Sequence, residues 1–590
     1  MSGICGEFRF DGLKPDHSDI ERMTDAMKPR GPDEAGYAGE GAFLFGYRHL
    51  AVACRSQHAA QPMQDGALTL VFDGAIYNYQ ALHRELVGMG YSFSSETDAE
   101  VILKAYHAWG HACLERLDGA FAFAIRDENR NNLFLARDRF GLKPLYYTLD
   151  AKRIRFASTL PAIRAGGGIS DEIDHTALQF QFTLHGSVPA PWTIFRHIRK
   201  LPSACFLEIG NEGNPLVTCY WQLSASRPVP EPDEAAILAE LHTALRAAVA
   251  SHRLAAPTGI LLSGGLDSSL IIALLAEQGG SDIATFSIGF ADQPEEAGNE
   301  FYYSDLIAGH FATRHHRYRI NDEEMLKALP EAISAMSEPM FSQDNVAFWL
   351  LSREVGKGVV LSGQGADEIF GGYYWYPKMA AEDEALPFVE RFKRHYFDRD
   401  HAGFLAILAP ERRALTSEDQ VTEFIARRLA EPGADTFLDR VLRLDAATLI
   451  VDDPVKRMDN MTMAHGLEAR VPFLDKTLVE AAMRASPALR LEDGGKYPLK
   501  QLARALLPAE IVDRPKGYFP TPALKYLRGG FLDFVREVLN SAACRQRGLY
   551  DRVYVDRLLA EPLGHFTPLA GNTLWHLAAL EYWLQAQGAA

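Results

Sequence analysis

The chain contains no apolar run approaching the roughly 18 residues that cross a bilayer, and no basic-then-apolar segment of the signal-peptide kind opens it. A membrane partner is therefore not expected, and the cytoplasm is the expected location. Cysteine is scarce: six residues, at positions 5, 54, 113, 205, 219 and 544, show no CxxC or Cys/His spacing. They read as reduced thiols rather than as a disulfide or zinc framework. Positive charge is in deficit, with 60 Lys and Arg against 77 Asp and Glu and a net charge of -17, which argues against a nucleic-acid backbone as partner. There is no internal repeat and no low-complexity tract. What remains, 47% hydrophobic and 23% charged residues, is the composition of a soluble globular protein. At 590 residues it is too long for one core and implies two large domains.

The boundary is expected at residues 223–235, where Pro228, Pro230 and Pro232 make a stiff, extended connector. Before it, in residues 1–222, short apolar runs at 43–47, 68–72, 121–125, 133–136 and 154–157 are separated by glycine or Asp/Asn turns. That is the texture of an antiparallel sandwich. After it, in residues 236–590, Ile237, Leu238, Leu241, Leu245 and Val249 recur at helical spacing. Strand-like runs at 284–288 and 359–361 then alternate with helical segments, predicting a parallel sheet covered by helices, with further helices from about 380 onward.

The most informative stretch is Ser263-Gly264-Gly265-Leu266-Asp267-Ser268-Ser269, between the apolar run Gly259-Ile260-Leu261-Leu262 and the helical run from Leu270. A buried strand, a Gly/Ser loop and a helix N-terminus together offer backbone N–H groups and hydroxyls to an anion. Asp267 would repel phosphate, so its presence implies a bridging divalent cation. The loop lacks the lysine of a Walker motif and the spacing of a Rossmann turn. It resembles the pyrophosphate loop of ATP pyrophosphatases, which implies ATP and Mg²⁺ as cofactors. A second glycine loop, Ser362-Gly363-Gln364-Gly365-Ala366-Asp367-Glu368, follows its own apolar strand. Asp367 can either cap a helix or join Asp267 as a metal ligand at the carboxyl edge of the sheet. Ile288 ends a strand whose backbone can read an adenine edge.

With Leu467-Glu468-Ala469-Arg470-Val471-Pro472-Phe473-Leu474-Asp475 and Gly495-Lys496-Tyr497, these loops resemble the synthetase domain of glutamine-dependent asparagine synthetases and their relatives, β-lactam synthetases included. The N-terminal half resembles the glutaminase domain of the same family, through the opening residues 1–6, Arg30-Gly31-Pro32-Asp33, residues 74–78 and residues 136–147. The resemblance thus covers nearly the whole chain. It implies an N-terminal nucleophile hydrolase fold, an antiparallel β-sandwich flanked by helices, followed by an ATP-pyrophosphatase α/β sheet. It also implies a homodimer. The stretches at 337–340, 451–457 and 514–520 look most like N-acetylglutaminylglutamine amidotransferases, which amidate a dipeptide carboxylate.

The departures bear on function. Where the family's nucleophilic cysteine follows the initiator Met, this chain has Ser2, a far weaker nucleophile. Cys5 would face the opposite side of a strand. His49 stands at the family's glutamine-holding arginine, and Asp73 and Ala75 replace the oxyanion-donating asparagine and the substrate-binding glutamate; of the pocket only Gly74 and Asp98 survive. A glutaminase that no longer works is the expected reading.

The resemblance then implies a ligase that adenylates a small-molecule carboxylate, releases pyrophosphate and couples the acyl-AMP to an amine or free ammonia. Leu262, Ser263, Gly264, Gly265, Ser268, Ser269, Ile288, Ser362 and Gly363 would hold the nucleotide. Asp267 and Asp367 would hold the metal, and Lys496 would stabilise charge. Gln364, often glutamate in the family, cannot act as a base. Glu338, Asp344, Tyr373 and Glu468 are candidates for a base or for substrate recognition, or are buried structural groups. The adjacent His315 and His316 diverge on a regular element and read as structural. Two alternatives stay open: a working glutamine-dependent amidotransferase that uses Ser2, and a non-catalytic regulatory homologue. An RNA-modifying pyrophosphatase is disfavoured by the acidity.

Overall fold

A computed structural model describes residues 2–52, 60–253, 258–280, 282–416, 418–514, 517 and 521–589. Cys54 and most of the 514–520 motif lie outside the described residues. Among the described residues, no helix is long and apolar enough to cross a membrane. The chain divides into two units, each of which takes a segment from the other's stretch of sequence. The first comprises residues 1–172, 190–222 and 463–468; the second comprises 173–189, 223–462 and 469–590.

In the first unit the alternating apolar runs become two six-stranded sheets. Ser2–Arg9 lies in the middle of one, antiparallel to Phe43–His49 and to Arg153–Ala157. Gly119–Asp127 lies in the middle of the other, between Leu68–Ile76 and Asn132–Arg137. Because side chains alternate along a strand, each sheet presents two faces. Ile4, Phe8, Phe45 and Phe156 meet Val71, Ala124, Leu135 and Leu207 between the sheets. On the far side of the second sheet, Phe72, Phe121, Phe123 and Phe134 pack with Ile102, Leu103 and Tyr106 of helix Asp98–Trp109. Helix His17–Ala26 covers the far side of the first. The layers run helix, sheet, sheet, helix, as the family resemblance implies.

Two details depend on this register. Cys205 and Cys219 lie directly opposite each other on the paired strands Cys205–Gly210 and Pro215–Cys219, and a disulfide joins them. This corrects the reading of every cysteine as a reduced thiol: a separation of 14 residues matches no motif, and only the hairpin register brings the two together. The 136–147 motif is a turn built around buried charge. Asp138, fully buried, accepts from the backbone N–H groups of Phe121, Phe140, Leu142 and Lys143 at 2.9–3.2 Å. Beside it the Arg137 guanidinium donates to the carbonyls of Lys143, Leu201 and Gly141 at 2.8–2.9 Å.

In the second unit the sheet order is Arg314–Arg319, Ala284–Gly289, Gly259–Leu261, Gly358–Leu361, then the strand Leu467–Arg470, of which residues 469–470 belong to this unit; the central strands pair parallel. Gly259–Leu261 comes first in sequence yet sits in the centre. The chain builds outward on one side before Gly358–Leu361 adds to the other. This makes a topological switch point between the two strands, where open α/β sheets bind ligands. The proline-rich connector is not a free spacer: Ala225 bridges Ala434, and Arg227 pairs with Asp439 at 2.7 Å. On the outer sheet edge, His315 bonds Thr285 Oγ1 at 2.9 Å while His316 stacks on Phe286, so the neighbouring rings diverge. The C-terminal helix Thr573–Ala586 is anchored by two indoles, with Trp575 donating to the Phe341 carbonyl and Trp583 to that of Met336.

Asp138→Ala would strand four buried N–H donors. At about 1–3 kcal/mol for each buried unsatisfied group, a loss of at least about 4 kcal/mol is expected. It should be read as a lower urea midpoint for the first unit, with Asp138→Asn, which keeps one acceptor oxygen, falling between it and wild type.

Candidate active site

At the switch point the two glycine loops leave adjacent strand ends. Ser263 Oγ accepts the Gly265 N–H at 3.2 Å, and Ser268 Oγ accepts the Ser263 N–H at 3.3 Å, which curls the first loop onto the start of helix Leu266–Glu277. Gly264 holds the turn with φ +75°, and a Cβ there would lie 2.5 Å from the Ser304 nitrogen. No other residue fits. The second loop is fixed to the sheet by the Ser362 N–H, which donates to the Arg470 carbonyl at 2.9 Å. It opens the short helix Ala366–Phe370.

Lys496 reaches both loops. Its Nζ lies 2.6 Å from Asp267 Oδ2 and 2.7 Å from Asp367 Oδ1, with the side chain only 10% exposed. Burial alone would lower the ammonium's pKa, but the two carboxylates raise it well above its ordinary value, so Lys496 is a fixed cation. The backbone brings it there through four consecutive left-handed residues, Asp493 (φ +53°), Gly494 (+77°), Gly495 (+95°) and Lys496 (+59°). A non-glycine residue in that region costs energy, and such strain clusters at functional sites. Gly372 leaves the space: a Cβ on it would sit 2.1 Å from Asp367 Oδ1 and 2.2 Å from Lys496 Cε.

These groups line a cavity of about 320 Å³. Of the nucleotide candidates, Leu262, Ser263, Gly265, Ser268, Ile288, Ser362 and Gly363 line it together with Asp267, Asp367, Gln364 and Lys496. Gly264 and Ser269 are not in its wall, Ser269 being fully buried in the helix. Of the substrate candidates, Asp344 and Tyr373 line it. Glu338 and Glu468 do not; they are 1% and 0% exposed, Glu468 on the sheet's edge strand.

Two arginines in the cavity wall escaped the sequence reading. Arg457 donates to Ser342 Oγ at 2.7 Å and lies 3.4 Å from Asp453 and 3.6 Å from Asp344. It follows two successive π-helical turns, Asp445–Leu449 and Val451–Val455, a local widening frequent at functional sites. Arg514 donates to the Gly264 carbonyl at 3.2 Å, pairs with Glu300 and stacks over Tyr303 at 3.8 Å.

Behind the second loop, Tyr373 donates to Glu368 at 2.7 Å and Tyr376 to Asp445 at 2.5 Å. Burial, helped by the Glu368 charge and opposed by the Tyr376 hydrogen bond, pushes Asp445 up to about 8. The Tyr373 phenol is pushed well above its ordinary value by burial and by Glu368 and Asp367, so it is a donor and not a base near neutral pH.

In the first unit, Ser2 is 1% exposed and donates its N–H to Asp73 Oδ1 at 2.8 Å. Asp73 Oδ2 takes Arg30 Nη2 at 3.0 Å. Ser2 Oγ shares a 2.6 Å hydrogen bond with the Tyr47 hydroxyl, which contacts His49 Nδ1 at 3.0 Å. Asp98 accepts the Ile76 N–H at 3.2 Å, while Gly74 and Ala75 pair with Phe121 and Ala120. Cys5 lies under helix His17–Ala26, 3.3 Å from Thr24 Oγ1, and burial pushes its thiol up to about 12.

Residues 240–585 match the family described as asparagine synthase, and residues 1–221 match a glutamine amidotransferase domain. A putative asparagine synthetase (glutamine-hydrolyzing) of Mycobacterium tuberculosis H37Rv is 34% identical over 87% of this chain and 86% of its own. Asparagine synthetase (glutamine-hydrolyzing) 3 of Bacillus subtilis is 29% identical over 99% of both chains. Asparagine synthetase B (glutamine-hydrolyzing) of Escherichia coli is 28% identical over 88% of this chain and 82% of its own.

The raised Asp445 sets a pH dependence. The unfolded chain loses this proton near 3.8 and the folded protein near 8, so the folded state binds more protons in between. Stability from this group is complete below the lower value and is lost as pH rises, at about 1.4 kcal/mol per pH unit. Asp445→Asn is expected to flatten the decline in urea midpoint across that window; an unchanged slope would assign the effect elsewhere.

Proposed function

The chain belongs to the asparagine synthase family and is an ATP-dependent carbon–nitrogen ligase; we propose that its acceptor nitrogen does not come from its own glutaminase-like residues. The observation that supports this is Asp73. A fully buried carboxylate, neutralised by Arg30 and holding the Ser2 N–H, stands where an oxyanion needs hydrogen-bond donors. The Ser2 hydroxyl meets a phenol that burial keeps protonated, a poor base for activating an alcohol.

On this reading residues 1–222 are a glutaminase-like domain, 223–235 the connector and 236–590 the synthetase. ATP lies with its phosphates against residues 263–269, whose N–H groups and hydroxyls suit a departing pyrophosphate. The substrate carboxylate attacks the α-phosphorus, and an amine or ammonia then displaces AMP from the acyl-adenylate. Lys496 is a fixed cation beside the phosphate loop, where negative charge develops. Asp267 and Asp367 converge on one cationic atom, the Lys496 ammonium standing where positive charge is required, and this donor set fits Mg²⁺. When bound, the metal supplies charge neutralisation at the phosphates. Arg457, charged and set in the wall with Asp344, is suited to a second carboxylate or amide of the substrate. The stretches at 337–340 and 451–457 favour an acylated dipeptide as that substrate.

One observation favours a second reading. The Ser2–Tyr47–His49 chain puts an imidazole two hydrogen bonds from the Ser2 hydroxyl, which is the skeleton of a serine glutaminase.

The test supplies the purified chain with ATP, Mg²⁺ and an N-acetylated glutamine dipeptide, plus either glutamine or ammonium chloride, and follows AMP, pyrophosphate and amide. Amide with ammonium alone, unaffected by Ser2→Ala, is expected. Amide and glutamate from glutamine, lost in Ser2→Ala, would establish the second reading instead. In ATP–pyrophosphate exchange, Lys496→Ala and Asp367→Asn are each expected to lose about 100-fold or more, the cost of removing one preorganised electrostatic group. Exchange that survives both substitutions would remove this cavity from the chemistry.

A further inference from the structure

The second unit also brings together three side chains that do not line the cavity. His185 follows helix His175–Thr183, at a left-handed position with φ +52°. Asp398 follows helix Phe388–Tyr396 and is held to the first of these helices by its N–H, which donates to the Thr183 carbonyl at 2.9 Å. His576 lies in the first turn of helix Thr573–Ala586, whose N-terminus Asn572 caps. One ligand atom from each of the three lies within 4.8 Å of the others. His185 Nδ1 and Asp398 Oδ2 are 2.8 Å apart.

The polar accounting of this cluster does not close. His576 is 0% exposed, yet among the described residues neither ring nitrogen has a hydrogen-bond partner, and Asp398 Oδ1 is likewise buried without one. A neutral imidazole carries one donor and one acceptor, and leaving such groups unmet in the interior costs about 1–3 kcal/mol each. Burial drives the His576 pKa well below its ordinary value, so the ring is neutral and keeps a lone pair to give. The ring is also aimed. Phe341 stacks on it at 4.5 Å and 14°, and His185 meets it edge-on at 5.3 Å. Glycine at 571 keeps the approach to its Nε2 open, since a Cβ there would stand 2.4 Å from that nitrogen and 2.9 Å from His185 Cε1.

We infer that His185, Asp398 and His576 bind one divalent transition-metal ion of the zinc class. Two imidazoles and one carboxylate are a donor set suited to such ions, whereas magnesium and calcium prefer oxygen alone. Bonds of about 2.0–2.2 Å place tetrahedral ligand atoms roughly 3.3–3.6 Å apart, somewhat above the observed 2.8 Å pair and inside the 4.8 Å within which all three ligand atoms lie. The ion satisfies Asp398 and the His576 lone pair at once and ties together three segments distant in sequence. The charge of Arg399, which also acts on Asp398 and His576, opposes a bound cation there.

The test is made on the full chain, stripped with EDTA, reloaded with zinc sulfate and freed of excess by gel filtration. About one zinc per chain is expected by mass spectrometry, retained in Asp267→Asn. His576→Gln and Asp398→Asn should each bind at least roughly tenfold more weakly, since even outer-shell losses cost that much. Zinc retained by both of these variants, or lost in Asp267→Asn, overturns the proposal. Because a substitution in the core can unfold the chain, cobalt(II) titrated into the stripped wild type gives an independent reading. Intense four-coordinate visible bands and a raised Tm support the site; a weak six-coordinate spectrum with no change in Tm overturns it.

Discussion

A buried ammonium held between two carboxylates organises the second unit. The attraction between Lys496 and the pair Asp267 and Asp367 acts at 2.6–2.7 Å in a largely desolvated place, where unpaired charge is very costly. Much of the local architecture is what that arrangement requires. Two strand ends must be adjacent to deliver one aspartate each, which the switch in strand order provides. Both loops must be glycine-rich to come close enough, and the 493–496 segment must run left-handed to turn the lysine inward. The strain of that segment is held by the surrounding contacts, among them the Lys496 N–H on the Phe370 carbonyl at 3.0 Å.

The first unit shows a different economy. The buried polar groups around Ser2 satisfy one another: Asp73 with Arg30, Ser2 with Asp73 and Tyr47, Asp98 with the Ile76 N–H. A buried polar group left unpaired is expensive, and a closed network of this kind avoids that cost. The sandwich beneath draws its stability from the Phe, Ile and Leu faces and not from these polar contacts.

How much of this was legible follows from locality. Strand runs such as 68–72 and 121–125 were visible because a sheet face writes a period of two into contiguous sequence, and the structure lengthens them to Leu68–Ile76 and Gly119–Asp127. The Ser263–Ser269 loop and Asp367 were visible because each is a short motif at a strand end. Arg457 and Arg514 were not, because a charge enters a cavity through tertiary packing, without periodicity. The Cys205–Cys219 bond was missed for a related reason: hairpin register lies beyond any spacing rule. The difference between Asp344, in the cavity wall, and Glu338, sealed in the core six residues earlier, depends on which way one turn presents its side chains.

The exchange of segments between the units carries a consequence for the gene as well as for the fold. Residues 173–189 sit inside the first half of the sequence but build the second unit, where Phe180 packs against Phe424; residues 463–468 do the reverse, with Met463 beside Leu50. No single break in the coding sequence can release one unit whole. Truncation at the proline-rich stretch would deprive the second unit of a helix and leave the first without its late-coming strip. The two units are therefore inherited together, and a change confined to the residues around Ser2 alters one of them without separating it from the other.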